Sequence, residues 1–454
     1  MRRPPRPARG RGAGVRVPPH ERSVLANGLK LVIVPRRDVP LIACQALMMG
    51  GAVADPRTRG GVAALTAGLL DKGAGDLDAP RFADAVEGAG GSLAGAAAAE
   101  LISFGGQFLA RDQALMIELL GLALTTPRLA ADELEKLRAR YIELIKAAKD
   151  TDPGELTGLY GRALLFGSHP YASPVFGSER SLGRIRRADV LRYYREQAGA
   201  DRLVLIFAGD VDAPRLKRAV LARLGRWRRA GAPLRRLARP RVPQRRRVLL
   251  VDAPGAEQSY FWIGGVGVAR SYPHRAALDL VNTLYGGSFS SILNTELRVK
   301  AGLTYAAGSS FTRGTVPGEF AIRSFARRVH TGEAIERALA TLAQLKSGGI
   351  SAAALEQARA YVLGQYPLAL ETAADWAAAL GELEAYALKR AYIDGYAQQV
   401  RRVTLEDARR VVAEAFPPPE HVVIVAIGDA ARIRGQLTRF GELRELPLGR
   451  GSFR

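Results

Sequence analysis

The sequence predicts an α+β protein of two similar sandwich units, each a mainly antiparallel sheet covered by helices. Three observations carry that expectation. Each half opens on an apolar, partly β-branched run, Leu31-Val32-Ile33-Val34 and Val248-Leu249-Leu250-Val251, the composition of a buried strand. Each half closes on a strand that ends at Gly-Asp and leads into a helix, at Gly209-Asp210 and again at Gly428-Asp429. The spacing also repeats: Gly209 lies 178 residues after Leu31, and Gly428 lies 180 after Val248. Equal units with equal ends are the signature of an internal duplication.

The elements follow in chain order. Residues 1–20 hold six Arg and no acid, and such a segment is expected to be a disordered tail. The first unit runs over 21–225. Within it, Leu134, Leu137, Tyr141, Leu144 and Ile145 recur at three- and four-residue steps, which predicts an amphipathic helix over 132–149. Residues 226–247 carry ten Arg and no acid and read as a solvated linker. The second unit covers 248–446, where Ile335, Leu339, Leu342 and Leu345 mark a second amphipathic helix over 332–346. Residues 447–454 are left as a short tail.

Of 454 residues, 48% are hydrophobic and 24% charged, which suits a globular chain with ample core. The formal charge of +22 raises a nucleic-acid reading. Sixteen of those charges sit in the tail and the linker, neither of which interleaves aromatics as single-strand binders do. No specific nucleic-acid site is expected. Cys44 is the only cysteine, so no internal disulfide or Cys-based metal site can form. His20, His169, His274, His330 and His421 are scattered, which excludes HxxEH, HExxH and HxH. No membrane span is expected, since apolar Leu115–Leu124 is short and broken by Glu118. The basic start lacks an apolar h-region, so the chain as written reads as cytoplasmic; a periplasmic location would require a leader from another start.

The stretch GGVAALTAGLLDKGAG, Gly60–Gly75, resembles the active helix of the inverted-zincin (M16) peptidases related to pitrilysin, insulin-degrading enzyme and the mitochondrial processing peptidase. In that family the helix reads like GLAHFLEHMLFKG. Two His four residues apart project side by side to hold zinc, and the Glu between them activates the bound water. Aligned on the flanking glycines, Ala64 and Gly68 stand where the two His would be, and Ala67 where the Glu would be. The third ligand, a downstream Glu, maps to about Leu144; Glu143 is adjacent but about 100° away around the helix. The resemblance extends to Ala54-Asp55-Pro56, to FGSHPYASPVFGSERSL (Phe166–Leu182) and to both Gly-Asp endings. It implies the fold of the processing-peptidase metallohydrolases, without a metal in this chain. His169 lies in one of these motifs and is read as structural.

LYGGSFSSILNTELRVKAGLTYAAGSSF, Leu284–Phe311, is similar to the family's second-domain signature and keeps its Arg/Tyr pair as Arg298 and Tyr305. The resemblance implies that this pair faces a zinc across a closed chamber and donates to the substrate carbonyl. Read from the residues alone, Arg298 would be a surface helix residue and Tyr305 a strand residue packed in a sheet. Gly286, Gly287 and Ser288 allow three readings: a helix-to-helix turn with a serine cap, the family's peptide-contacting glycine turn, or a phosphate loop. The last lacks GK[ST].

The resemblance therefore implies a noncatalytic subunit of a heterodimeric zinc metallopeptidase. A partner chain bearing HxxEH would supply zinc and the general base. This chain would supply chamber wall, contacts to a peptide or unfolded polypeptide, and the Arg298/Tyr305 pair. A catalytically inert scaffold is the alternative, and an anionic-surface binder using the Arg linker is a third. No GxSxG or other serine-nucleophile motif supports zinc-independent hydrolysis.

Overall fold

The computed structural model describes residues 14–454. The first half supplies β1 (Glu21–Val24), β2 (Lys30–Pro35), β3 (Leu41–Met49), β4 (Ser92–Ala97), β5 (Leu101–Leu109) and β6 (Leu203–Gly209). The second supplies β7 (Arg247–Asp252), β8 (Gln258–Val266), β9 (Ala307–Arg313), β10 (Pro317–Arg327), β11 (Val423–Gly428) and β12 (Glu442–Pro447). Each half forms one six-stranded mixed sheet, in the orders β1-β2-β6-β3-β5-β4 and β12-β7-β11-β8-β10-β9. Beyond the edge strand, the two orders are the same. Lys30–Pro35 pairs in parallel with Val204–Gly209, and Arg247–Asp252 with Val423–Gly428. The likeness stops at one edge: β1 precedes the sheet and runs antiparallel to β2, whereas β12 follows it and runs parallel to β7.

The central strands β6 and β11 are buried along their whole length, as continuous apolar runs covered on both faces must be. One face of the first sheet presents Leu31, Ile33, Cys44, Ala46, Leu205 and Phe207 to the helices of its own half, among them Gln113–Thr125, Arg187–Gln197 and Ala213–Leu224. The other face, Val32, Val34, Leu47, Val204 and Ile206, packs on Trp376, Leu380 and Leu383. Those three belong to the helix Ala373–Ala385 of the second half. The exchange is mutual. The first-half helix Thr157–Phe166 lies on β8 and β11 of the second sheet. Its Gly161 brings the backbone so close that an added Cβ would stand 2.5 Å from the Trp262 ring. Trp262 is fully buried there. The opposite face of the second sheet, with Phe261, Ile263, Phe320 and Ile322, packs on its own half's helices, including Arg275–Asn282 and Thr331–Lys346.

Three segments differ from the sequence expectation. Residues 1–13 of the expected tail lie outside the described residues, but Val17 is buried and its N–H donates to Asp394 at 2.6 Å. The Arg-rich 226–247 segment is mostly exposed but is held along the first half. Trp227 is buried, Ala230 donates to Asp201 at 2.8 Å, and Arg235 donates to the Val53 carbonyl at 2.8 Å. Arg is compatible with this because its stem packs while its fork finds main-chain oxygens. After β12 the chain crosses back to the first half, where Phe453 is buried edge-on against Tyr160 at 5.1 Å. Among the described residues no helix is long and apolar enough to cross a membrane.

Candidate functional site

The helix Val62–Gly68 starts at Gly61, whose φ of 103° is open to glycine. Asp55 fixes that start by accepting the N–H groups of Gly61 at 2.7 Å and Ala63 at 2.9 Å. Its carboxyl is nonetheless pushed up to about 7, burial outweighing the main-chain donors. On the helix, Ala64 and Ala67 are fully buried. Strand β4 runs so close that a Cβ on Gly95 would meet the Ala67 carbonyl oxygen at 1.9 Å. A Cβ on Gly68 would meet Leu137 at 2.9 Å and the Tyr141 hydroxyl at 3.1 Å. Small side chains let this helix sit directly on its neighbours.

Leu144 corrects the sequence reading. It is 57% exposed, whereas Leu134 and Ile145 are buried. The apolar stripe of the helix Ala131–Thr151 passes through Ile145, and Leu144 is about 100° off it. Glu143 is exposed and takes the Lys146 ammonium at 2.9 Å. The positions that would hold zinc, Ala64, Ala67, Gly68 and Leu144, offer no donor atom, and three of them are packed shut. These residues do not fit a zinc ion. No group of three His, Cys, Asp or Glu suited to a metal occurs among the described residues.

Arg298 and Tyr305 are brought together. Arg298 stands in a π-helical turn, Thr295–Lys300, a widened turn often used to place functional side chains. Tyr305 sits two residues ahead of β9 and is 73% exposed, so it is not the sheet-packed residue that its strand-like surroundings suggest. The guanidinium carbon of Arg298 lies 4.6 Å from the Tyr305 ring centre and 4.4 Å from that of Phe289. Phe289 directly follows the Gly286-Gly287-Ser288 turn, and nothing in the sequence alone assigned it a role. Cation–π contact holds the guanidinium over the rings, and its N–H groups make no hydrogen bond among the described residues. The nearby acid, Glu296, is taken by Arg337 at 3.0 Å and Lys300 at 3.1 Å. Hydrogen bonding to Lys300, opposed by burial and helped by both charges, keeps it below its ordinary range.

The glycine turn is built against the same strand. Gly286 is buried, and a Cβ there would meet Ser309 at 2.4 Å. Ser309 donates to Asn282 at 2.8 Å, and Asn282 donates back to the Ser309 carbonyl at 3.2 Å. Asn294 accepts the Ala307 N–H at 3.2 Å and donates to the Phe289 carbonyl at 2.6 Å. It thereby sets Phe289 relative to the start of β9. Gly287 is exposed, Ser288 is half-buried, and Ser291 caps the next turn by accepting the Asn294 N–H. From Ala306, beside Tyr305, a groove of about 780 Å³ runs between the second sheet and the start of the helix Thr157–Phe166. Tyr260 and Phe325 give it apolar walls, and Arg162, Arg323, Asp152 and Glu155 give it charges of both signs.

The fold has counterparts among known proteins. Residues 184–362 match the family model described as the peptidase M16 inactive domain. The chain is 28% identical over 389 residues to an uncharacterised zinc protease of Mycobacterium leprae, covering 85% of this chain and 86% of that protein. It is 23% identical over 327 residues to a non-peptidase homolog of Helicobacter pylori, covering 71% and 74%. The crystal structure of a peptidase M16 inactive domain from Pseudomonas fluorescens superposes with a TM-score of 0.84 at 23% identity, over 90% of this chain and 98% of that one.

Proposed function

From a chain that carries a peptidase M16 inactive domain over residues 184–362, we propose a noncatalytic subunit of a two-chain zinc peptidase. A single observation carries the reading. The would-be ligand face is closed by Ala64, Ala67 and Gly68, while on the other half Tyr305 is exposed and Arg298, half-buried, is in no ion pair among the described residues. A chain selected only as a scaffold has no need of that pair.

In this reading the partner chain bears HxxEH and supplies the zinc and the general base. Arg298 donates N–H groups and Tyr305 its hydroxyl to the carbonyl oxygen of the scissile peptide. Both bonds strengthen as that oxygen gains charge, which is the differential binding that lowers a barrier. Stacking on Phe289 and Tyr305 holds the guanidinium in place beforehand, so little ordering remains to be done in the complex. The groove beside Tyr305 gives an extended polypeptide a bed, with Tyr260 and Phe325 for apolar side chains. Gly286, Gly287 and Ser288 shape the turn that supports this bed.

The test is reconstitution with a candidate HxxEH chain. Peptidase activity is expected only in the mixture, with zinc assigned to the partner by mass spectrometry of the intact complex. Stoichiometric zinc in the isolated chain, or chelator-sensitive cleavage by it alone, overturns the reading.

A further inference from the structure

A second cavity, of about 380 Å³, lies away from Arg298 and Tyr305, where the chain segment after β12 returns to the first half. Five arginines line it: Arg57, Arg180, Arg184, Arg450 and Arg454. No Asp or Glu does. Elsewhere the protein pairs its arginines freely, yet none of these five has a carboxylate within 4.0 Å among the described residues. Glu179, next to Arg180 in sequence, is taken by Lys149 at 2.6 Å. Hydroxyls of Thr58, Ser173 and Ser452 share the lining.

The arginines come from segments far apart in sequence, and main-chain contacts hold them together. Arg180 N–H donates to the Gly451 carbonyl at 2.9 Å, and Lys149 donates to the Arg450 carbonyl at 3.0 Å. Phe453, buried against Tyr160, anchors the segment between Arg450 and Arg454. Like charges are thus gathered by apolar and main-chain contacts that ignore their mutual repulsion. Burial first, and then the charge of Arg57, pull the Arg454 guanidinium below its ordinary range.

We propose that this cavity binds a small multivalent oxyanion of the phosphate class, bridging the 448–454 segment to the first half. The chemistry is that of guanidinium forks, which match phosphate oxygens two at a time, with hydroxyls to fill the remaining lone pairs. The cavity has room for a diphosphate. An acidic protein segment is the competing occupant, and the small volume favours the compact ion over it. The site is independent of the proposed peptidase role.

The test uses the full chain and titration calorimetry with inorganic pyrophosphate, phosphate and sulfate in about 0.3 M NaCl, where exposed charges are strongly screened. Saturable pyrophosphate binding is expected, tighter than that of sulfate. It should weaken by roughly tenfold or more in the Arg57→Ala, Arg184→Ala double variant, because removing one charge-assisted hydrogen bond costs about that factor. Both side chains are exposed and in no ion pair among the described residues, so the variant's Tm without anion should equal or exceed that of the parent. If the variant fails to fold, Arg450→Gln alone provides the comparison. No saturable binding, binding unaffected by the variant, or tighter binding of hexaglutamate than of pyrophosphate would each overturn the proposal.

Discussion

Glu100 accepts the main-chain N–H of Thr315 with both carboxylate oxygens, each at 3.0 Å, across the boundary between the halves. Glu100 sits in the β4–β5 turn and Thr315 in the β9–β10 turn, equivalent places in the two sheets. The duplicated units therefore touch at matching hairpins. Tyr171 and the Thr315 hydroxyl also donate to Glu100, each at 2.5 Å, in a site where the carboxylate is buried.

Glu100→Ala should accordingly destabilise the chain by about 3 kcal/mol, since buried donors to a charged acceptor lose their partner. Urea unfolding measures it. A loss below about 1 kcal/mol would show that water replaces the carboxylate and that the hairpin contact is incidental.

The exchanged helices give a comparative prediction. A methyl at Gly161 meets the rigid Trp262 ring at 2.5 Å, whereas one at Gly381 meets the ends of Leu47 and Ile206 at 2.7 and 3.1 Å. Flexible methyls can yield and a buried indole cannot. Gly161→Ala should cost about 1–3 kcal/mol by overpacking, and Gly381→Ala distinctly less. Equal losses in thermal unfolding would contradict the close helix–sheet contact at Trp262.

Asp55 yields a pH dependence. Its carboxyl is pushed up to about 7 in the folded chain, from an ordinary value of 3.8. The folded state thus holds the proton more tightly, and its contribution is greatest at low pH. It is lost as pH rises from about 4 to about 7. Relative to Asp55→Asn, the parent should lose stability over that window. A difference between the two that stays flat or grows with pH would show that the Gly61 and Ala63 donors, not burial, decide this group's titration.

Removing the carbonyl donors tests the proposed chemistry. In a reconstituted complex, Arg298→Ala or Tyr305→Phe should lower kcat/KM by roughly 10²-fold, the usual loss for one oxyanion donor. Phe289→Leu should act less strongly and through Arg298, so it should have little further effect in an Arg298→Ala background. Fully additive losses would separate Phe289 from Arg298. All three side chains face solvent at least in part, so urea midpoints of the isolated chain should barely move.

Much of the architecture was legible because apolar strands and Gly-Asp endings are local patterns. Leu31–Val34, Val248–Val251 and the strands before Gly209 and Gly428 marked four of the twelve strands and the likeness of the two halves. The helix exchange was not legible. Nothing in the sequence says against which sheet Leu165 or Trp376 is buried. Leu144 misled for a related reason, since adjacent apolar residues on a helix cannot share one face and only the packed fold chooses Ile145. That Ala64, Ala67 and Gly68 carry no metal-ligand atom needed only the sequence. Phe289 stayed hidden because its meeting with Arg298 depends on the widened turn at Thr295–Lys300.

The mutual loan of helices says something about either half on its own. Cut free, the first half would bare the sheet face that Trp376 and Leu380 now cover, and would carry the helix Thr157–Phe166 without the β8 and β11 surface it lies on. Its most direct remedy would be a second copy of itself, each molecule handing its helix to the other. The 454-residue chain thus supplies from one polypeptide both the sheet faces and the helices that cover them.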